Sequence, residues 1–353
     1  MSGTSMRDPV TLDDLDAQIV RCLQLRPRAP FSRIAEVLAV SEQTVARRYR
    51  RLQRGGVLRV IAAVDPRALG QSDWLLRIRS RPDATMDLGR ALSRRHDVAW
   101  VSVSAGGSEL VCAVRSHTQQ ERERLLVDRL PRTASVLDLS ASVVLRRFAG
   151  GSASDWIGVR DALSGAQRKR IGADAAIRNP RGTTAALDDS DYALLDVLAA
   201  DGRAPVSALA RAAGTTEGRV SRRLKTLFET GVLYLDVDLA GAALGFPTSA
   251  YLWLTVAPAR LEATCAAIAT HDETPFVAAL SGPSNVVASV TCRDLDELYR
   301  YVTDKIGAIE GIAALEISPV LRRLKQAGTL VDGDRLADPA VSGPGRNAQR
   351  GSR

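Results

Sequence analysis

The chain has 353 residues, 45% of them hydrophobic and 25% charged, with a formal net charge of +8. That length suits two to four domains with buried cores, and the balance excludes a disordered or fibrous chain. No stretch reaches the roughly 18 apolar residues a membrane helix needs, and MSGTSMRDPV lacks the apolar centre of a secretory signal, so a cytoplasmic protein without a membrane partner is expected.

Residues 12–64 open with three short helical patterns. Asp13, Asp14 and Asp16 place negative charge at a helix start, and Leu15, Ile19 and Leu23 then repeat at four-residue spacing. After Pro30, the residues Phe31, Ile34, Ala35 and Leu38 form a second apolar stripe. Ser41 is a good N-cap for a third helix from about Glu42 to Arg54, which Gly55-Gly56 ends. VLRVIAAV follows as a strand, the expected wing of a winged helix-turn-helix.

On the third helix, Val45, Tyr49 and Leu52 share the inward face. Gln43, Arg47, Arg50 and Arg54 share the outward one, flanked by Thr44 and Arg51. Guanidinium groups bond guanine edges or neutralise phosphate, and glutamine bonds adenine, so this row suits a DNA major groove. The expected DNA-contacting set is Ser41, Gln43, Thr44, Arg47, Arg48, Arg50, Arg51 and Arg54. A basic chain favours the same partner, double-stranded DNA.

Residues 71–148 alternate strand and helix patterns in the order βαββαβ, that of a ferredoxin-like fold. VAWVSVSA and ELVCAVRS are strands joined at Gly106-Gly107-Ser108. Residues 149–186 read as a linker in which Trp156, Ile157 and Leu163 belong to a short docking helix.

The whole pattern then recurs. Residues 12–58 lie on 187–233 without a gap, with 18 of 47 positions identical, including Arg28-Ala29-Pro30 over Arg203-Ala204-Pro205. VVLRR at 143–147 matches PVLRR at 319–323. The fold class expected is α+β: two tandem copies of a winged helix-turn-helix plus a ferredoxin-like sensor. The second copy has its reader at 187–239 and its sensor at 246–325, and residues 328–353 read as a disordered tail. The readers differ outside their cores. Gln43, Arg51 and Arg54 become Gly218, Thr226 and Glu229, leaving Arg219, Arg222, Arg223 and Lys225 as the second DNA-contacting set. Residues 12–58 hold nine basic and five acidic residues, a net +4; residues 187–233 hold six and seven, a net −1. The first reader should therefore supply most of the affinity.

LDDLDAQIVRCL, FSRIAEVLAVSEQTVARRYRRLQRGGVL and the βαββαβ pattern with its glycine hairpin resemble the leucine-responsive regulator/AsnC (Lrp/AsnC) family of transcriptional regulators, in tandem-duplicated form. The resemblance implies that the sensors pair through their sheets and hold an amino acid or related small molecule between paired domains. It also implies effector pockets lined by Ser104, Gly106, Gly107 and Ser108, and by Ser281, Gly282, Ser284 and Asn285. Where the family carries an aspartate after the hairpin glycine, Glu109 and Asn285 stand here, which points away from a typical amino-acid effector. Fusion of two units implies an intrachain pseudo-dimer able to form homodimers or larger assemblies.

No catalytic motif, cofactor or metal site is expected. Cys22, Cys112, Cys265 and Cys292 lack zinc spacing and read as isolated buried thiols. His96 and His271 read as helix C-terminal partners, and His117 has no counterpart in the second copy. The alternative is a siroheme decarboxylase, since those enzymes are similar in both units and work on a porphyrin with histidine and arginine side chains.

Overall fold

The computed structural model describes residues 12–116, 118–151, 162–172 and 187–338. The first reader is α1 (Asp14–Leu25), α2 (Phe31–Leu38), α3 (Glu42–Arg54) and the strand β1 (Leu58–Val64). The first sensor follows: β2 (Trp74–Ser80), α4 (Thr85–Ser93), β3 (Val98–Ser104), β4 (Glu109–Val114), α5 (Gln119–Glu123) and β5 (Val136–Ala149). α5 runs on as a π-helical stretch, Arg124–Arg129. A connecting helix α6 (Gly165–Ile171) precedes the second reader, α7 (Asp189–Ala200), α8 (Val206–Ala212), α9 (Glu217–Glu229) and β6 (Leu233–Leu239). The second sensor is β7 (Thr248–Val256), α10 (Leu261–Ile268), β8 (Phe276–Leu280), β9 (Val286–Cys292), α11 (Leu295–Arg300) and β10 (Ile312–Gln326). Two short strands, β11 (Thr329–Asp332) and β12 (Arg335–Leu336), complete the chain's described part. The expected α+β class and both βαββαβ orders are present.

Local chemistry explains the readers. Asp13 and Asp16 form a capping box at the start of α1, and Asp188 and Asp191 repeat it at α7. Ile19, Leu23, Ile34, Val45 and Leu52 are buried together in one core. The turn between α2 and α3 needs a left-handed residue: Ala39 takes it at φ 56, whereas the second copy uses Gly214 at φ 61.

The sensors are joined more closely than a repeat requires. β5 pairs with β2 from Val136 to Val143, then leaves that sheet and pairs with β8 from Val144 to Ala149. β10 mirrors it, pairing with β7 up to Pro319 and with β3 from Val320 onward. Together with β4 and β9 they close a ring of eight strands. Leu75, Val111, Tyr251, Trp253 and Val287 pack between the two inner faces, and the helices cover the outer ones. Both crossings fall inside the matched VVLRR and PVLRR segments.

One expectation is extended and two need correcting. The wing of each reader is a single strand, and it pairs with the other reader's: β1 and β6 run antiparallel from Leu58↔Leu239 to Val64↔Leu233. The linker helix begins at Gly165, capped by Ser164, with Leu163 and Ile171 buried against the first reader. Trp156 and Ile157 lie outside the described residues. The tail is ordered at its start. β11 pairs with the end of β10, and Leu336 N donates to Gly56 O at 2.8 Å, so a β-hairpin rests on the first reader just past α3. Its two paired strands are too short to show a periodic pattern, and their partners are distant in sequence.

Candidate nucleic-acid interface

α3 is held from behind. The carboxylate of Asp16 is fully buried, and Arg48 reaches it at 3.1 Å, with Arg51 bonded to its other oxygen. Arg48 also pairs with Asp13, whose carboxyl it holds below the usual range. In the second reader Arg223 pairs with the buried Asp191 and is that acid's one ion-pair partner among the described residues. Arg48, Arg51 and Arg223, expected among the DNA contacts, therefore anchor the recognition helices to α1 and α7. The Arg-Arg pair shared by both copies carried two roles, and only its first member faces outward. Burying an aspartate with its charge compensated is costly unless the ion pair is kept, which ties α3's position to these arginines.

The remaining expected residues stand free of the core. Gln43, Arg47, Arg50 and Arg54 are exposed, Thr44 is half-buried, and none of the three arginines takes part in an ion pair among the described residues. Ser41 caps α3, its Oγ accepting from Thr44 N at 3.1 Å. On α9, Arg219 and Arg222 are exposed, while Lys225 stands 3.8 Å from Glu229, one turn along. Glu229 replaces Arg54, so the second face is both less basic and partly self-neutralised.

The readers are clasped to each other by residues the sequence marked without explaining. Arg28 donates to Gly202 O and Ala204 O at 2.7 and 2.8 Å. Arg203, its counterpart, donates to Pro27 O and Ala29 O at 2.5 and 2.8 Å. The identical Arg-Ala-Pro in both copies was the signal. Arg203 also lies over the rings of Phe31 and Tyr49, the latter on the inner side of α3.

The sensor hairpins meet the opposite copy's crossing strand. A Cβ on Gly107 would stand 3.7 Å from Leu321, and one on Gly282 3.4 Å from Ser142. The polar side chains there are largely spent on the protein. Ser281 Oγ accepts from Val143 N, Ser108 Oγ donates to Ala105 O, and the Asn285 amide both accepts from Val256 N and donates to Val256 O. Ser104 is buried with its Oγ unbonded, Gly106 is exposed, and Ser284 is half-buried. Glu109 is buried against Arg77, which reaches on to Glu316 of the second sensor and lies over Trp253.

A cavity of about 400 Å³ lies between the two sensor sheets and the paired wings. Arg115, Arg147 and Arg323 line it together with Asp73, Asp236 and Asp238. No histidine does so among the described residues. His96 is exposed beside Glu121, which raises its pKa, and His271 bonds the Tyr301 hydroxyl at 3.0 Å, with burial lowering its pKa. Neither acts as the expected helix-end partner, and His117 lies outside the described residues. All four cysteines are free and buried. No helix among the described residues is long and apolar enough to cross a membrane.

Residues 12–53 and 187–227 match the model of the AsnC-type helix-turn-helix domain, and residues 249–330 match that of the Lrp/AsnC ligand binding domain. The HTH-type transcriptional regulator AldR of Mycolicibacterium smegmatis is 30% identical over 148 residues, 41% of this chain and 86% of that protein. An uncharacterised HTH-type transcriptional regulator of Pyrococcus horikoshii is 28% identical over 150 residues, 42% of this chain and 94% of that protein. Each such relative thus has the length of one copy. The siroheme decarboxylase NirDL is similar in fold over both copies, with a TM-score of 0.59 at 14% identity, covering 92% of this chain and 95% of that one. With two matched readers, a matched sensor and AldR aligned over most of its length, the chain belongs to the Lrp/AsnC family of helix-turn-helix transcriptional regulators.

Proposed function

We propose that this regulator grips DNA chiefly through Gln43, Thr44, Arg47, Arg50 and Arg54 on α3, with Arg219, Arg222 and Lys225 on α9 forming a second, weaker reader. The carrying observation is that three arginines on one face of α3 are exposed and form no ion pair among the described residues, whereas the matching face of α9 holds an acid against its lysine. Phosphate neutralisation supplies much of protein–DNA affinity, so the more basic face dominates. In a gel-shift titration Arg47→Ala costs about 1–3 kcal/mol of binding, while Arg222→Ala costs well under about 1 kcal/mol. Equal losses would sink the reading.

The units run as 12–64 and 71–148, then 187–239 and 246–325, with both readers on one wing pair. The sensor hairpins offer an effector mainly backbone groups, because Ser281 and Asn285 are already bonded. The chain works in the cytoplasm as a binding protein and not as an enzyme. The decarboxylase alternative rests on a likeness of fold at 14% identity. Leu145 and Leu321, at matched positions on the crossing strands, are both exposed and supply the apolar contact for assembly into homodimers or larger forms.

A further inference from the structure

We propose that the cavity beneath the paired wings is a binding site for a small organic cation, an ammonium group carried on an apolar body about the size of one or two aromatic rings. Its volume of about 400 Å³ lies within the range of small-ligand pockets. Trp74, Trp100, Tyr251, Phe246 and Phe276 supply aromatic lining from both sensors, the arrangement that receives an apolar body.

The sign of the ligand's charge follows from which lining groups are already satisfied. Arg147 is ion-paired with Asp73, Arg115 donates to the Tyr234 hydroxyl at 2.8 Å, and Arg323 donates to Gln326 Oε1 at 2.9 Å while lying over Trp100; the other charged lining groups outside β6 are Arg322 and Asp334, both exposed to solvent, and Arg335. The acids of β6 are different. Asp236 and Asp238, two residues apart on one strand, turn the same way. Asp238 is 3% exposed; its Oδ1 accepts from Gln326, but its Oδ2 has no hydrogen-bond partner. The neighbouring Thr329 hydroxyl is itself unbonded, and Arg59, across the wing pair, forms no ion pair with Asp238 among the described residues. Burial makes this carboxyl costly to ionise while its Oδ2 has no partner, and an ammonium group supplies both a donor and the compensating charge. The Trp74 indole N–H, also buried and unbonded, is left to meet an acceptor on the same ligand.

This site is separate from the hairpin glycines, and binding there can be read on the protein alone. The lining runs from Gln24 of the first reader through both sensors to Asp238 of the second reader and Leu336 of the terminal hairpin, so every unit helps to bound the cavity. The test is isothermal titration calorimetry on the full chain with 2-phenylethylamine and tryptamine, beside phenylalanine and 3-phenylpropionate. The two amines bind and raise the melting temperature, and Asp238→Asn weakens them about tenfold or more. Ala113→Phe, which fills the cavity from its wall, abolishes binding as well. Absence of amine binding, tighter binding of 3-phenylpropionate or phenylalanine than of the amines, or undiminished binding by Asp238→Asn would each overturn the proposal. Circular dichroism and gel shift on the same variants separate lost binding from lost folding or lost DNA recognition.

Discussion

Asp238 shows what a single buried carboxyl does to this molecule. Burial and the like charge of Asp236 push its carboxyl up to about 8, against the opposing pull of Gln326 and Arg323. In the unfolded chain the same group titrates near the ordinary carboxylate value of 3.8. Between those two values the unfolded state releases the proton while the folded state keeps it. Folding stability therefore falls as pH rises from about 4 to about 8 and is flat with respect to this group above that. Asp238→Asn keeps the acceptor for Gln326 and removes the titration. Thermal melts should show the variant more stable at pH 7 by about 2 kcal/mol, with the difference vanishing near pH 4. A variant less stable than the parent at pH 7 would count against this account. Arg48 and Arg223 teach a related lesson: they were expected among the DNA contacts, and only the buried acids beneath them, Asp16 and Asp191, reveal that they anchor.

At the scale of elements, the wing pair and its arginine clasp fix how the two recognition helices stand to one another. Each guanidinium meets two carbonyls in the turn after the other reader's first helix, and burial depresses the pKa of both arginines without removing their charge. Each hydrogen bond from a charged donor is worth about 1.5–3 kcal/mol, less for groups partly open to solvent. Arg28→Ala should weaken DNA binding several-fold while leaving every residue on the outward faces of α3 and α9 in place. Small-angle scattering with gel shift would check it, and unchanged affinity would show that the wings alone suffice. The helices and their caps were legible because a 3.6-residue repeat and a capping aspartate act within a few residues. The cross-pairing of β1 with β6 was not, since nothing in a strand's own alternation names a partner 175 positions away. The ordered hairpin β11–β12 escaped for the same reason, its order coming from β10 and Gly56.

The whole molecule is a dimer written as one chain. Because β5 and β10 each lend half their length to the opposite sensor, the pairing of the two copies cannot dilute apart. Any concentration dependence in solution then reports contacts between chains, for which the exposed Leu145 and Leu321 are placed. Light scattering should show the mass falling to that of one chain in the Leu145→Glu, Leu321→Glu double variant, with fold retained. A parent protein that is already a single chain at micromolar concentration would rule that contact out. The crossed strands also set an order of events during synthesis. The edge of β3 finds its partner only when Val320–Lys325 emerge from the ribosome, and the far half of β5 waits for Phe276–Leu280. Until then the finished first sensor offers nascent-chain neighbours two open strand edges, the feature most prone to aggregate. A cell making this protein therefore has a strong reason to hold its first half in a chaperone until the second has been translated.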